Sequence, residues 1–388
     1  MSGEGMRYDA SDIEVLEGLT AVRKRPGMYV GSTGERGLHE LVFAVVSEAA
    51  NDVLAQGAGR VDVTLMSDGG VRVTDDAPAA PFEAPAAGDT GGPGLEALLT
   101  TLYAGAEPGD RHSVYVGHFN LGLVVATALS SRLTAEVRRE GMRRVQEYAR
   151  GVALAPPAAV GSATGTGKTI AFWPDTETFE TTRCSFAVLA ERFRQVAFLY
   201  RGLEISLTDE RPAGQARLVR FHFPEGVRDF VAALDAGAGG HVHPDVIGFE
   251  REDPRMAGTM EIALHWGGTD AEGVRGFVNG RATREGGTHV DGFRDGVTAA
   301  VTANARERGL PTATDTGSLA DRIGRGLTAV VSVKLDRPEY LGPIRGLLGN
   351  TEVRACVAEA VHHHLRAWFE EHPERAEAVV GEIVRTPA

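Results

Sequence analysis

Residues 38–54 read LHELVFAVVSEAANDVL. Its apolar side chains recur every three or four residues, which predicts a helix over residues 37–55 with one buried stripe. The stripe consists of Leu38, Leu41, Val42, Val45, Val46, Ala49 and Val53. Ala44, Glu48 and Asp52 follow at helical spacing on another side, so we expect them to form a line that faces away from the core.

Alternating strands and helices extend outward from this helix. Strands are predicted at residues 60–66, 71–75, 133–138, 144–149 and 169–173, with helices at 95–102 and 122–129. The first half is therefore expected to be a helix–sheet sandwich of the α+β class. In the second half, strands at 260–266, 274–278 and 330–334 alternate with helices at 292–306 and 353–369, which favours β-α-β crossovers. A polar interruption at 208–215 predicts two domains, 1–212 and 213–388.

Composition limits the classes of function. The 388 residues carry a net charge of −13, so only a local basic patch could attract nucleic acid, and such binding is not expected. Two cysteines, Cys184 and Cys356, exclude a disulfide scaffold and favour a reducing compartment. The N-terminus has no apolar signal segment, and no apolar run is long enough to span a membrane. We expect a cytoplasmic protein.

Two motifs resemble phosphate-binding or metal-binding sequences but lack residues that such sites require. Gly167-Lys168-Thr169 resembles the end of a P-loop, but Ser162 stands where the loop needs its first glycine, and a strand-like run follows. His362, His363 and His364 lie on one predicted helix and point in three directions, so they do not converge on a metal ion. No metal site is predicted.

Six blocks of sequence, in the family's order, resemble the DNA gyrase B family. They are residues 8–11 (YDAS), 21–31 (AVRKRPGMYVG), 128–131 (ALSS), 172–175 (FWPD), 285–289 (EGGTH) and 348–354 (LGNTEVR). The resemblance implies an ATPase domain of the GHKL (Bergerat) type, followed by a transducer domain like domain 2 of ribosomal protein S5. It ends before the family's TOPRIM domain, so we expect no strand-cleavage site in these residues.

The departures from the family concentrate where the resemblance places phosphate, metal and water. Ala44 replaces the glutamate that polarises the attacking water, and Glu48 replaces the asparagine that holds Mg²⁺. In the phosphate lid only Gly117 and Gly122 remain of the family's glycines. Other changes remove glycines or reverse a charge: Ala77, Pro78, Ala79 and Ala80 after the second strand, Glu107 in the lid, and Pro343-Ile344-Arg345 in the transducer loop. Binding of ATP and Mg²⁺ is therefore expected to be weak or absent.

The purine end and the dimer arm keep more of the family pattern. Asp75 matches the carboxylate that accepts the adenine amino group, and Arg139 matches an arginine at the pocket rim. Lys168 takes the place of a threonine that assists Asp75, where a cation could pair with that carboxylate and depress its proton affinity, or bind an anionic ligand. Tyr8 matches the arm that wraps the other protomer in the family's dimers.

Three functions are compatible with this pattern. The first is a non-hydrolysing, dimeric pseudo-ATPase that binds a small ligand or a partner, gyrase subunits included, through the remodelled pocket. The second is an enzyme of another reaction class, with His118, Asp75 and Glu48 as acid–base groups. Its cavity would be apolar, lined by Ala44, Ala77, Ala80, Phe119 and Leu121. The third is slow ATP hydrolysis through Glu48 or Asp52.

Overall fold

The computed structural model describes residues 18–83, 94–102, 104, 116, 122–236, 244–267, 273–310, 322–342 and 346–385. The helices are α1 (Gly18–Lys24), α2 (Gly27–Val30), α3 (Glu35–Leu54), α4 (Leu95–Thr100), α5 (Gly122–Leu129), α6 (Phe186–Leu199), α7 (Val227–Asp235), α8 (Thr288–Glu307), α9 (Thr351–Glu371) and α10 (Pro373–Arg385). The strands are β1 (Gly59–Leu65), β2 (Val71–Asp75), β3 (Ser130–Arg139), β4 (Met142–Ala149), β5 (Val152–Ala153), β6 (Ala158–Ser162), β7 (Gly167–Pro174), β8 (Leu203–Asp209), β9 (Arg217–Phe221), β10 (Ile247–Asp253), β11 (Gly258–Trp266), β12 (Gly273–Val278), β13 (Arg281–Ala282), β14 (Leu327–Leu335), β15 (Tyr340–Leu341) and β16 (Leu347–Leu348).

The first sheet has nine strands in the order β5-β4-β3-β7-β2-β1-β8-β9, with β6 paired to β4. The strands pair antiparallel except for β1 and β8, which run parallel. Helix α3 packs on this sheet with its whole predicted stripe buried, and Leu38 and Val42 are fully inaccessible. The sandwich predicted from the apolar spacing is confirmed.

The second sheet orders its strands β10-β11-β14-β12-β13. Strand β12 pairs parallel with β14, and α8 lies between them in sequence, which confirms the predicted β-α-β crossover. Helices α8 and α9 cover this sheet, and their apolar faces form a second core with Phe293, Val357 and Phe369. The α+β class is therefore confirmed in both halves.

The first sheet extends beyond the expected domain boundary at residue 212. Strand β9 pairs with β8 from Arg217↔Asp209 to Phe221↔Ile205, so a division at 212 would separate the two strands of a hairpin. We propose that the division lies between Phe221 and Val227. Across it, Arg201 donates to the buried Glu261 at 2.6 Å, and Phe198 stacks on Phe230 with ring centroids 4.7 Å apart.

Helix α6 is the largest element that the sequence pattern did not predict. It begins at Ser185, whose side chain accepts a hydrogen bond from the Val188 amide. Both cysteines are buried, as expected for small core residues. None of the helices in the described ranges is long and apolar enough to cross a membrane.

Candidate functional site

A buried lysine joins three elements at one end of the α3 face. Lys168 on β7 is 4% exposed, and its Nζ lies 3.0 Å from Oδ2 of Asp75, at the end of β2. The same ammonium forms an ion pair with Asp52, one turn after Glu48 on α3. The backbone amide of Lys168 lies 3.4 Å from the other carboxylate oxygen, Oδ1, of Asp75. Both oxygens of Asp75 are therefore occupied by one residue.

Strand alternation explains how these groups meet. Lys168 shares its side of β7 with the buried Ile170 and Phe172, and Asp75 shares its side of β2 with Val73. Gly167 lets the strand ends approach, because a Cβ there would lie 2.2 Å from the carbonyl oxygen of Asp75. The lysine and the aspartate thus point into the layer that α3 covers.

Arg138 supports the same corner and was missed by the sequence interpretation. Its guanidinium donates to the Asp75 carbonyl at 3.2 Å and to Thr169 Oγ1 at 2.9 Å. It shares β3 with Leu133 and Ala135, which pack in the first core. Arg138 directly precedes Arg139 at the end of a predicted strand. The spacing alone does not show which of the two arginines reaches the site.

The charges of this cluster favour a permanent cation. The nearby Asp52 and Asp75 carboxylates raise the pKa of Lys168 above its ordinary value, although burial alone would lower it. Burial raises the pKa of the Asp75 carboxyl, and the Lys168 ammonium opposes part of that rise. The expected depression of the proton affinity of Asp75 is thus only one contribution, and desolvation outweighs it.

Glu48 lies next to this cluster and lines a cleft beside α3. Its Oε2 lies 3.5 Å from where a Cβ on Gly122 would stand, at the start of α5. Burial raises the pKa of Glu48, and the charges of Asp52 and Asp75 raise it further. Asn51 fixes the neighbouring chain, because its Oδ1 accepts from the Val116 amide at 2.6 Å. The Lys168 ammonium opposes part of the rise in the pKa of Glu48, which stays above its ordinary value.

The segment after β2 folds back into the core and does not line the described cleft. Ala77 and Ala79 are 4% and 7% exposed, and Asp76 accepts a hydrogen bond from the Arg60 amide at 2.8 Å. Of the described residues expected to line an apolar cavity, Ala44 lines this cleft, whereas Ala77 and Ala80 do not. Ala77 is buried within the first core, and Ala80 is exposed.

The remaining predicted site residues do not join the lysine cluster. Arg139 is exposed, pairs with Glu140 at 2.8 Å and reaches the Ala79 carbonyl at 3.5 Å. His118, Gly117 and Tyr8 lie outside the described residues, as do Phe119 and Leu121. The structure thus brings together Asp75, Lys168, Glu48 and Gly122 from the sequence prediction.

A cleft of about 1210 Å³ separates α3 from the second sheet. One wall carries Tyr29, His39, Phe43, Ala44 and Glu48, and Arg192 of α6 adds to it. The other wall runs from Val274 to Glu285 and includes the β13 residue Arg281. Behind that wall, Thr283 Oγ1 lies 3.0 Å from Nε2 of the buried His289, and burial lowers the pKa of His289 to about 4. The cleft arginines were also missed by the sequence interpretation, since they come from different domains.

This architecture, a helix-covered sheet with acidic side chains on α3 followed by a second sheet, is that of the GHKL ATPase domains. The chain matches the 43K ATPase domain of Thermus thermophilus gyrase B, solved in complex with an aminocoumarin. That match has a TM-score of 0.80 and 30% identity, and covers 95% of this chain and 94% of that one. The gyrase B protein of Myxococcus xanthus matches with a TM-score of 0.77 and 26% identity, covering 94% of this chain and 99% of that one.

The sequence comparisons give the family. The family model described as DNA gyrase B matches residues 226–387. The DNA gyrase B protein of Streptomyces coelicolor is 42% identical over 389 residues, which cover 96% of this chain and 56% of the relative. The chain belongs to the DNA gyrase B family. It spans little more than half the length of that relative.

The residues present do not fit the nucleotide that this family binds. Lys168 contacts both oxygens of the Asp75 carboxylate, so an adenine amino group would compete there with a buried cation. No catalytic step through ATP and Mg²⁺ can be derived from this arrangement.

Proposed function

We propose that this chain is a gyrase B-like pseudo-ATPase module, which does not hydrolyse ATP and binds another small ligand or a partner through its remodelled pocket. The observation that carries the proposal is the ion pair of Lys168 with Asp75 and Asp52. An adenine ring at Asp75 would have to displace an ammonium that neutralises two carboxylates. Such a displacement leaves buried charge uncompensated, which is strongly unfavourable.

The water-activating end supports the same proposal. Ala44 carries no proton-accepting group at the position that matches the family's glutamate. Loss of a positioned general base costs about 10²–10⁴-fold in rate. The purine end and the hydrolytic end are therefore both altered.

Calorimetric titration with ADP, with phosphate release from ATP in Mg²⁺ measured in parallel, tests the proposal. We expect no binding and no release with the wild-type chain. The Lys168→Thr variant removes the ammonium and is expected to gain measurable ADP binding, whereas Lys24→Thr, at an exposed lysine, is the matched control. Phosphate release by the wild type that disappears in a Glu48→Gln, Asp52→Asn double variant would establish a weak ATPase and overturn the proposal.

A second candidate is an enzyme of another reaction class. The observation that favours it is Glu48, whose pKa is raised by burial and which lines the open cleft. A carboxyl group with a raised pKa can act as a general acid near neutral pH. If Glu48→Gln, Asp75→Asn and His118→Ala all leave turnover of an identified substrate unchanged, this candidate is excluded.

We also propose that the chain forms a homodimer in the cytoplasm through its N-terminal arm, with gyrase subunits as further partners. Family membership and the match of Tyr8 to the family's arm support this proposal. Light scattering on the intact chain and on a variant lacking residues 1–17 tests it. A monomeric intact chain at high protein concentration would contradict the dimer.

A further inference from the structure

Two arginines from different domains line the same cleft. Arg192 lies on α6, beside the first sheet, and Arg281 lies on β13, at the edge of the second sheet. Among the described residues, five arginines and four glutamates line the cleft: Arg36, Arg192, Arg275, Arg281 and Arg284, with Glu35, Glu40, Glu48 and Glu285. In a chain of net charge −13, the cleft is thus a local region of positive excess.

The Arg192 guanidinium is held in place by uncharged groups. Its Nη1 donates to Gln195 Oε1 at 2.6 Å, and its Cζ lies 5.9 Å from the ring centroid of Phe43. Phe43 packs edge-on against Phe193, with centroids 6.0 Å apart. In the described part of the chain, the hydrogen bond of Arg192 goes to a neutral amide and no ion pair neutralises its charge.

The two cations disfavour each other across the domain boundary. Burial lowers the pKa of Arg192, the charge of Arg281 lowers it further, and Glu40 and Tyr200 oppose this only in part. An arginine stays protonated at any physiological pH, so the repulsion cannot be relieved by proton loss. An anion that contacted both guanidinium groups would offset this repulsion through charge-assisted hydrogen bonds.

The apolar part of the cleft indicates what else the ligand carries. Tyr29 and Phe43 lie on the same wall as Arg192, and Val274 and Phe277 lie on the opposite wall. Aromatic walls with a few polar groups are typical of sites for drug-sized organic molecules, and such sites measure about 300–1,000 Å³. The cleft is large enough for such a molecule together with water.

We propose that this cleft binds a small organic anion with a flat apolar part, whose anionic group contacts Arg192 and Arg281. This deepens the proposed function, because it names the chemical class of ligand and depends on the pocket serving something other than ATP. Since the two arginines belong to different domains, the anion also ties the first sheet to the second. Binding therefore restrains the domains relative to each other.

Calorimetry with 2-naphthoate as the probe tests this inference on the full chain. Its neutral analogue 2-naphthalenemethanol and the ring-free anion pyrophosphate are the comparison ligands. We expect 2-naphthoate to bind more tightly than either. Arg192→Gln and Arg281→Gln are each expected to weaken it about tenfold or more, the size of one charge-assisted hydrogen bond. Arg194→Gln, on the same helix but over Phe198, is the control and is expected to change nothing.

Several results would overturn the inference. One is binding of the neutral analogue as tightly as 2-naphthoate, which needs no variant and so does not depend on variant folding. If pyrophosphate binds as tightly as 2-naphthoate, the ligand needs no flat apolar part. If Arg192→Gln and Arg281→Gln fold and bind 2-naphthoate with unchanged affinity, the two arginines do not contact the anion. ADP binding by the wild type breaks the proposed function, whereas unchanged 2-naphthoate affinity in the two arginine variants breaks only this inference, so the two failures are distinguishable.

Discussion

At the purine end of the pocket an ion-pair cluster balances the charge of the buried lysine, whereas in the cleft Arg192 forms no ion pair within the described ranges. At the purine end, one ammonium lies between two carboxylates, and Lys168 is 4% exposed. In the cleft, Arg192 donates to a neutral amide and faces the like charge of Arg281. A site that neutralises itself has little to gain from a ligand, whereas a site with unbalanced charge gains from one. This difference is why we propose the cleft, and not the purine end, as the ligand site.

The largest expected effect is on stability, from Lys168→Met. The change leaves the buried Asp75 without a counter-charge and should lower the free energy of unfolding by about 3 kcal/mol. Urea unfolding measures it. Arg139→Met, at an exposed ion pair, is the control and should stay within about 0.5 kcal/mol of the wild type.

A second variant separates lost charge balance from lost packing at Lys168. Adding Asp75→Asn to Lys168→Met removes the uncompensated carboxylate and should recover part of the stability. If the double variant is no more stable than the single one, the ion pair does not balance this end of the pocket.

The next largest effect is a loss of stability at acidic pH, caused by a buried histidine behind the cleft wall. His289 is fully buried behind Thr283, and burial lowers its pKa to about 4 from 6.5. Below pH 6.5 the unfolded chain takes up a proton that the folded chain refuses, so stability is complete above that pH and falls as the pH drops toward 4. The loss from this residue is about 3 kcal/mol.

Urea unfolding at pH 7 and pH 4.5 measures this dependence. His289→Gln should lose less stability between the two pH values than the wild type, because glutamine takes up no proton. His222→Gln, at an exposed histidine, is the matched control and should behave as the wild type does. Parallel losses in the wild type and in His289→Gln would contradict the assignment.

The smallest effect is expected from Ala44→Glu. The change returns a carboxylate to the line on α3, yet the purine end stays occupied by Lys168, so phosphate release from ATP should remain at the blank level. Ala299→Glu, at a residue lining another surface groove, serves as a control for adding an acid. Hydrolysis restored by Ala44→Glu alone would show that the lysine does not exclude the nucleotide.

Local periodicity made most of the fold predictable. The buried stripe of α3 and the β12-α8-β14 crossover follow from spacings within about twenty residues, and both are present. Helix α6 was not predicted from spacing, although its buried residues form one face that includes Phe186, Leu189 and Phe193. The extension of the first sheet through β9 depends on pairing with β8, a contact that the polar interruption between them concealed.

Only part of the candidate site could be predicted, because most of its contacts join residues that are far apart in sequence. The pairing of Lys168 with Asp75 could be expected from the resemblance, but the second carboxylate, Asp52, comes from a helix 116 residues away. The cleft needs Arg192 and Arg281 together, and only the packing of two domains brings them to one space. Burial likewise decided the pKa of Asp75, and no spacing reveals burial of a polar group.

Lys168 makes one change to this pocket easier than its reversal. A threonine codon becomes a lysine codon through a single base change, so the cation can arrive in one step. Once it is present, the buried Asp75 depends on it for charge balance, whereas the exposed Asp52 is also solvated by water. Any later loss of the lysine must then be matched by a change in an acid, or the protein loses stability. Gaining the lysine therefore needs one substitution, whereas losing it without a loss of stability needs two.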